Sequence, residues 1–340
     1  MNSTYRFALL ALLAGVVGIH WLGQAPTAAV LSTPLPPASH SSVEGRRGVY
    51  VTAYAASQSG FLEGVLGKLN EHGLNTVVVD IKNNHGEVCY ASGVQLARQI
   101  GAVKPLLDLS AVVQAVHARG MYVIARQVVF YDPFLARHLG LDTAPWVLPT
   151  VAAVVAYNLD IAAEAERAGF DEIQFDYIRF PDDGPIGPDY SARCRAVEAF
   201  LSQARERLAL PLSADVYGRV TFPWNARRID PIGQHLEDMA QWVDAVSPML
   251  YPSHYVEREF KDNPYGTVHR GVSDATARIA LSVRPYLQAF EMAIPSGMSL
   301  STYIAAQVEA AEAAGADGYL FWNPRSDYTA LWQALDGRFR

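Results

Sequence analysis

The chain is predicted to fold as an α/β protein, a (β/α)8 TIM barrel preceded by a short N-terminal segment. Three observations predict this. From Gly48 onward, short β-rich runs alternate with helical runs. Eight strands can be counted in this alternation, each followed by a helix or a long loop, as a closed parallel barrel requires. The alternation fills about 290 residues, a length that suits this architecture with a few loop insertions.

Strand one is GVYVTAY (Gly48 to Tyr54), and SGFLEGVLGKLNEHG follows with helical spacing and a terminal Gly73. Strand two is TVVVDIK (Thr76 to Lys82), an apolar run of the kind that parallel strands bury on both faces. The connection after it runs to about 25 residues, long enough to be a candidate functional loop. A helix is expected over Leu109 to Arg119, strand three over Met121 to Phe130, and a helix over Tyr157 to Ala168 closed by Gly169. Strand four lies in GFDEIQFDYIRFP (Gly169 to Pro181) and leads to a long amphipathic helix, Ala192 to Ala209. Strand five is Leu212 to Gly218, then a short helix His235 to Trp242, and strand six is Ala245 to Tyr255. A helix at Ser273 to Leu281 precedes strand seven, Arg284 to Phe290. A helix at Ser301 to Ala314, strand eight at Gly318 to Pro324 and a last helix at Asp327 to Leu335 complete the series. An open doubly wound sheet is the main competitor. Its usual dinucleotide-binding form needs a Gly-rich phosphate loop after the first strand, and TAYAASQSG is not one.

The first 40 residues read differently. Arg6 precedes FALLALLAGVVGIHWL (Phe7 to Leu22), an apolar run interrupted by His20, and PTAAV (Pro26 to Val30) offers small residues suited to cleavage after Ala29. At about 16 residues the run is short of the roughly 20 that a spanning helix uses. Residues 1–29 are therefore expected to be a signal peptide or an uncleaved anchor that tethers the chain to the membrane, with a buried N-terminal helix as the plainer alternative. Residues 30–46, which include STPLPPASHSSVEG, read as a Pro- and Ser-rich linker, and 47–340 as the barrel domain. Either export or anchoring would place that domain outside the cytoplasm, in the periplasm or beyond.

Half of the 340 residues are hydrophobic, and the net charge is −7. No basic run appears, so a nucleic-acid partner, which needs clustered Lys and Arg, is not expected. Cys89 and Cys194 stand far apart. Two separate thiols are the plainer reading, and a disulfide in an exported chain stays open.

Active sites of such barrels gather at the C-terminal ends of the strands. The side chains there are Asp80 and Lys82 on strand two, Arg126 on three, Gln174, Asp176 and Arg179 on four, and Asp215 and Tyr217 on five. Strand six supplies Tyr251, Ser253 and His254, strand seven Gln288 and Glu291, and strand eight Trp322 and Asn323. The pleat sharpens the choice. If Ile173, Phe175 and Tyr177 face the helices, then Glu172, Gln174 and Asp176 face inward. On strand five the apolar set Leu212, Ala214 and Val216 leaves Asp215 inside as well. A carboxylate inside a barrel is costly unless paired, hydrogen-bonded or near water. Two of them facing one cleft fit glycoside hydrolysis, in which one carboxyl protonates the leaving oxygen and the other attacks or activates water. Tyr54, Tyr217, Tyr251 and Trp322 could stack on the apolar faces of sugar rings. The plainer reading makes Asp176 and Arg179 a structural ion pair and Asp215 a loop-binding group. Lys82, Arg126 and Arg179 could hold a sugar acid or pair with the carboxylates.

Other chemistries find less support. The nine histidines show no H-E-x-x-H spacing, so no metal site is expected. There is no G-x-S-x-G elbow and no Walker lysine loop, and no cofactor is expected.

The runs RGVYVTAYAA, TVVVDIKNNHGEVCY, VIARQVVFYDP, YNLDIAAEAERAGFDEIQFDYIRFP, VSPMLYPSHY and RPYLQAF resemble a bacterial family of domains of unknown function that are assigned as glycoside hydrolases and related to the α-amylase-type barrels. The resemblance extends from Arg47 to about Arg325 and is most specific around FDEIQFDYIRFP and PMLYPSHY. It implies a (β/α)8 barrel and a carbohydrate substrate. By strand position, it also implies Asp176 as nucleophile and Asp215 as acid/base. One departure stands out: where family members often read RPWLQDF, this chain reads RPYLQAF, with Ala289 in place of an acid. Either that acid is dispensable, or Glu291 replaces it, or the activity has changed. The leading expectation is an exported or tethered glycoside hydrolase acting on a bacterial or environmental polysaccharide. A non-catalytic carbohydrate-binding barrel of the cell envelope is the alternative, and a metal-dependent esterase or deacetylase a weaker third.

Overall fold

The computed structural model describes residues 42–143, 145–182 and 189–336. The expected signal or anchor segment and residues 30–41 of the linker lie outside the described residues. Eight parallel strands form the barrel: β1 (Arg46–Val51), β2 (Thr76–Lys82), β3 (Tyr122–Val128), β4 (Glu172–Asp176), β5 (Leu212–Tyr217), β6 (Ala245–Met249), β7 (Tyr286–Gln288) and β8 (Gly318–Trp322). β1 pairs in parallel with β8 on one side (Gly48 opposite Leu320) and with β2 on the other (Val49 opposite Val77). That double pairing closes the sheet into a cylinder, which leaves no unpaired edge. Gly48 is required for the closure, because a Cβ at that position would lie 1.9 Å from the Thr76 carbonyl oxygen.

The strands are followed by α1 (Phe61–Glu71), α2 (Leu109–His117), α3 (Ala152–Ala168), α4 (Tyr190–Arg207), α5 (Leu236–Met239), α6 (Pro264–Thr276), α7 (Leu300–Ala313) and α8 (Thr329–Leu335). Side chains at the helix starts accept the first free backbone N–H groups: Asp108 for α2, Asp189 for α4, Asn263 for α6 and Ser299 for α7. Each such cap contributes about 1 kcal/mol. The helices pack on the outer face of the sheet. There, Ile173 and Phe175 of β4 join the main core, and the Phe175 and Phe200 rings meet edge to face at 5.2 Å. The inner face carries a separate apolar cluster that includes Tyr50, Val78, Tyr122, Ile124, Tyr286 and Leu320.

Several expected boundaries shift, each for a local reason. Tyr54 is not on strand one, because the Thr52 hydroxyl accepts from the Ala55 N–H and starts a short helix, Ala53–Ser57. Strand six ends at Met249, and Pro252 begins a 3-10 turn, Pro252–His254. Strand seven is interrupted by Pro285, which has no N–H for the ladder, so Ser282–Val283 and Tyr286–Gln288 form separate short pieces. The helix expected from Ser273 instead starts at Pro264, after the Asn263 cap. The long connection after β2 has structure of its own: strands Val88–Tyr90 and Val103–Leu107 with a helical turn Gln95–Gln99 between them. Cys89 and Cys194 are both free and buried. No described helix is long and apolar enough to cross a membrane.

Candidate active site

The barrel interior is polar at two levels. Deep inside, Glu172 accepts from Arg284, Tyr122 and Ser213, forming a fully buried ion pair. One pleat higher, Gln174 accepts the Tyr286 hydroxyl at 2.6 Å and donates to Ser247. Next comes Asp176, which opens onto the C-terminal mouth. There a cavity of about 1570 Å³ spreads over the strand ends. Small-ligand pockets usually span roughly 300–1,000 Å³, so this volume accommodates an oligomer better than a single small molecule.

Arg126 occupies the centre of the cavity floor. It rises from β3 in register with Asp80 of β2, one strand over, and with Gln174 of β4 on the other side. Its Nε donates to Asp176 Oδ2 at 3.0 Å, and its Nη2 reaches the same oxygen. Its Nη1 donates to Asp80 Oδ1 at 2.5 Å, and Asp80 Oδ2 accepts the Tyr50 hydroxyl at 2.5 Å. Asp215 of β5 stands further off, with Oδ2 3.9 Å from Arg126 Nε. The Trp322 ring lies 4.7 Å from the guanidinium and stacks on Tyr50 with centroids 3.8 Å apart.

Burial decides the charge states. Burial alone disfavours the Arg126 cation, but Asp176 and Asp80 outweigh it and raise its pKa further. Burial, reinforced by the negative charge of Asp176, holds the Asp215 carboxyl well above the usual carboxylate range, and Arg126 only partly offsets this. Asp80 is also raised by burial, with Arg126 and the Tyr50 hydroxyl pulling the other way. Asp215 Oδ1 has no hydrogen-bond partner among the described residues. Asp176, by contrast, accepts from Arg126 and from the Tyr177 N–H at 2.6 Å. The floor therefore holds two carboxylates ion-paired with Arg126, Asp80 and Asp176, beside Asp215, whose burial favours the protonated form.

Of the residues expected at the site, Asp80, Arg126, Asp176, Arg179, Asp215, Tyr217, Tyr251, His254 and Trp322 all line this cavity. So does Tyr54, and its ring is 69% exposed at the rim. Arg179 does not pair with Asp176. It bonds Asp182 at 3.0 Å and lies over the Trp146 and Tyr217 rings at 4.5 and 4.6 Å.

Six expected residues do not line the mouth; one is Ser253, whose hydroxyl lies 3.0 Å from His254 Nδ1. An irregularity between Asp80 and Lys82 turns the lysine outward. Lys82 Nζ lies 2.8 Å from Asp132 and 3.2 Å from Asn158 Oδ1, and burial pushes its pKa down against the pull of Asp132. Gln174 sits below the mouth, held by Tyr286 and Ser247. Gln288 clamps the loop after β7 through the carbonyls of Phe290 and Met292, and Asn323 holds the carbonyls of Ala289 and Asp327. Glu291 is exposed and away from the cavity lining. Ala289 packs in the outer apolar core, so the position that departs from the family pattern is not part of the mouth.

The lining also includes groups that strand-end reading passes over. Tyr50 faces inward on β1, two residues beyond Gly48, as the pleat alone would have indicated. Tyr177, expected to face the helices, does not. Its φ of 51° breaks the alternation, and its ring lies 5.4 Å from Tyr131 at the cavity wall. No sequence signal marks that turn. Asn83, His85 and Glu87, from the long loop after β2, complete one side. Among the described residues, no three His, Cys, Asp or Glu side chains converge in a way that could hold a metal ion.

Comparison with solved structures places the fold among glycoside hydrolase barrels. The glycoside hydrolase domain of PgaB (BpsB) from Bordetella bronchiseptica matches 85% of this chain and 98% of its own at 13% identity, with a TM-score of 0.64. The spore cortex-lytic enzyme SleL from Bacillus cereus matches 90% of this chain and 76% of its own at 12% identity, with a TM-score of 0.57. At these identities the likeness is one of fold. A hypothetical protein from Ruminiclostridium thermocellum is 33% identical over 49% of this chain and 97% of its own, with a TM-score of 0.45. No curated protein matches the sequence. Residues 48–328 match the family described as "Putative glycosyl hydrolase domain". That span takes in all but the first two residues of the barrel strands and every lining side chain named here, and the chain belongs to this glycosyl hydrolase family.

Proposed function

We propose that the protein hydrolyses O-glycosidic bonds of an oligosaccharide or polysaccharide, with Asp215 donating the proton and Asp176 acting on the anomeric carbon. The observation that carries this reading is the unequal environment of the two acids around Arg126. Asp215 keeps a proton because it is buried, lacks a donor on Oδ1 and faces Asp176. A protonated carboxyl is what a glycosidic oxygen needs as it leaves. Asp176 is ion-paired with Arg126 through two donor nitrogens, a setting that suits a nucleophile or water-activating base. Both acids approach the same Arg126 Nε, at 3.0 and 3.9 Å, so their nearest oxygens lie within about 7 Å. That limit admits the separation used by retaining enzymes, about 5–5.5 Å, and only the lower end of the inverting range, about 6.5–9.5 Å. Tyr54 offers an exposed ring at the rim on which a sugar can stack.

The test uses a panel of soluble polysaccharides and aryl glycosides, with wild type, Asp176→Asn and Asp215→Asn side by side. Newly released reducing ends with wild type, absent with Asp176→Asn, support the assignment. Full activity in Asp176→Asn removes it. Glycan binding with no product from wild type would favour a carbohydrate-binding barrel instead. Export, read from residues 1–29, belongs to the same proposal and is checked by fractionating cells that express the full chain.

A further inference from the structure

The floor of the mouth gathers three carboxylates, Asp80, Asp176 and Asp215, around the single guanidinium of Arg126. The guanidinium is fixed on every side. Nε and Nη2 are committed to one oxygen of Asp176, and Nη1 to Asp80. Asp80 is itself anchored by the Tyr50 hydroxyl, and Tyr50 is pinned beneath Trp322. Arg126, Asp80 and Asp176 are all buried, so water screens these contacts far less than at the surface. The planar fork reaches two neighbouring strands at once, which the point charge of a lysine does not reproduce.

Building on the reading of Asp176 and Asp215 as the acting pair, we infer that Arg126, oriented by Asp80, is the positioning residue that assigns their roles. Its Nε and Nη2 hold one oxygen of Asp176, and its 3.9 Å distance leaves Asp215 without a comparable hold. The other titratable groups around the pair do not supply this asymmetry. Tyr50, Tyr251 and Tyr286 are buried phenols whose pKa values are pushed up, so they stay neutral. Tyr177 is neutral for the same reason. Glu172 and Arg284 neutralise each other deeper in the barrel, and Arg179 is taken up by Asp182.

The inference makes separate predictions for two substitutions. Arg126→Lys replaces the two-nitrogen fork on Asp176 with a single point donor, so that carboxylate loses its fixed orientation. Asp80→Asn keeps the size and a hydrogen-bonding oxygen but removes a negative charge, so the upper limb of the pH–kcat profile, set by Asp215, moves to lower pH. In Arg126→Lys, kcat falls about 10²-fold while KM changes by less than about threefold, since positioning is lost and not sugar affinity. The substrate is whichever polysaccharide or aryl glycoside of the panel turns over. In parallel, the Asp215 carboxyl is titrated by 13C-aspartate NMR, its resonance identified by its loss in Asp215→Asn. This readout needs no substrate, and Asp80→Asn should shift the titration to lower pH.

Several outcomes overturn the inference. If KM rises in Arg126→Lys with kcat and pH profile unchanged, the arginine is a sugar-binding group. If activity falls in both variants with no displacement of either profile, the role is merely structural. An Asp215 titration unmoved by Asp80→Asn also makes the role structural, even where Arg126→Lys fails to fold. If Asp176→Asn and Asp215→Asn themselves retain activity, the underlying assignment fails first, and that result is separate from any seen at Arg126.

Discussion

Asp215 stands 3.9 Å from Arg126 Nε through one carboxylate oxygen, while its other oxygen meets no hydrogen-bond donor among the described residues. The same guanidinium grips Asp176 with two nitrogens. Adjacent strands thus deliver two chemically identical side chains to one cavity floor, and their surroundings make them different acids.

The first prediction concerns the leaving group. A general acid contributes roughly 10²–10⁴-fold when the departing oxygen needs a proton. Asp215→Asn should lose that factor on glycosides with sugar or alkyl leaving groups. On 2,4-dinitrophenyl glycosides, whose leaving group departs without protonation, the loss should be small. Steady-state rates on the two substrate types decide it, and equal losses on both would count against Asp215 as the acid.

The second concerns pH and stability. The folded pKa of Asp215 lies above its ordinary value of 3.8, because burial and Asp176 oppose ionisation. The folded state therefore holds a proton that the unfolded chain releases. The stability this contributes is fully present below about pH 3.8 and is lost as pH rises through the folded value. Activity should fall over the same upper limb as the acid loses its proton. Asp215→Asn should therefore stabilise the protein at pH 7 to 8 by about 1–3 kcal/mol, the usual cost of an uncompensated buried polar group, with little gain near pH 4. Urea unfolding of both proteins at the two pH values measures the difference.

The third concerns the barrel base. Glu172 and Arg284 are both fully buried, and Tyr122 and Ser213 complete the carboxylate's hydrogen bonds. Removing one partner strands the other charge in a dry interior. Arg284→Met should cost about 3–5 kcal/mol in denaturant unfolding, while the folded fraction keeps most of its kcat. A loss below about 1 kcal/mol would show that the pair is better solvated than its burial indicates.

The fourth concerns the rim. Tyr54 is exposed and lines the cavity, with its hydroxyl and ring free of the core. Tyr54→Ala should change stability by no more than about 0.5 kcal/mol. Its KM for a polymeric substrate should rise several-fold, in keeping with the roughly 1 kcal/mol that an aromatic stacking contact supplies. An unchanged KM would place the sugar chain on another part of the mouth.

Strand count, order and inward parity were legible because they are local. A period of two in EIQFD and LSADVY puts Asp176 and Asp215 on the inner face, and β-rich runs spaced by helices leave few topologies open. Strand ends were less legible, since Thr52, Pro252 and Pro285 end or divide strands through hydrogen bonds made or withheld in three dimensions.

What the sequence determined by itself is the closed barrel and the identity of the acids that face its interior, because pleat and hydrophobic alternation act over a few residues. Tertiary structure alone decided which rim residues share the cavity: the irregularity that turns Lys82 toward Asp132, the positive φ that brings Tyr177 to the wall, and the bonds that retire Gln288 and Asn323 into loop support. It alone also made the surroundings of Asp215 and Asp176 unequal. Those surroundings depend on burial and on the distance to one guanidinium from a third strand, quantities that exist only once the cylinder has closed.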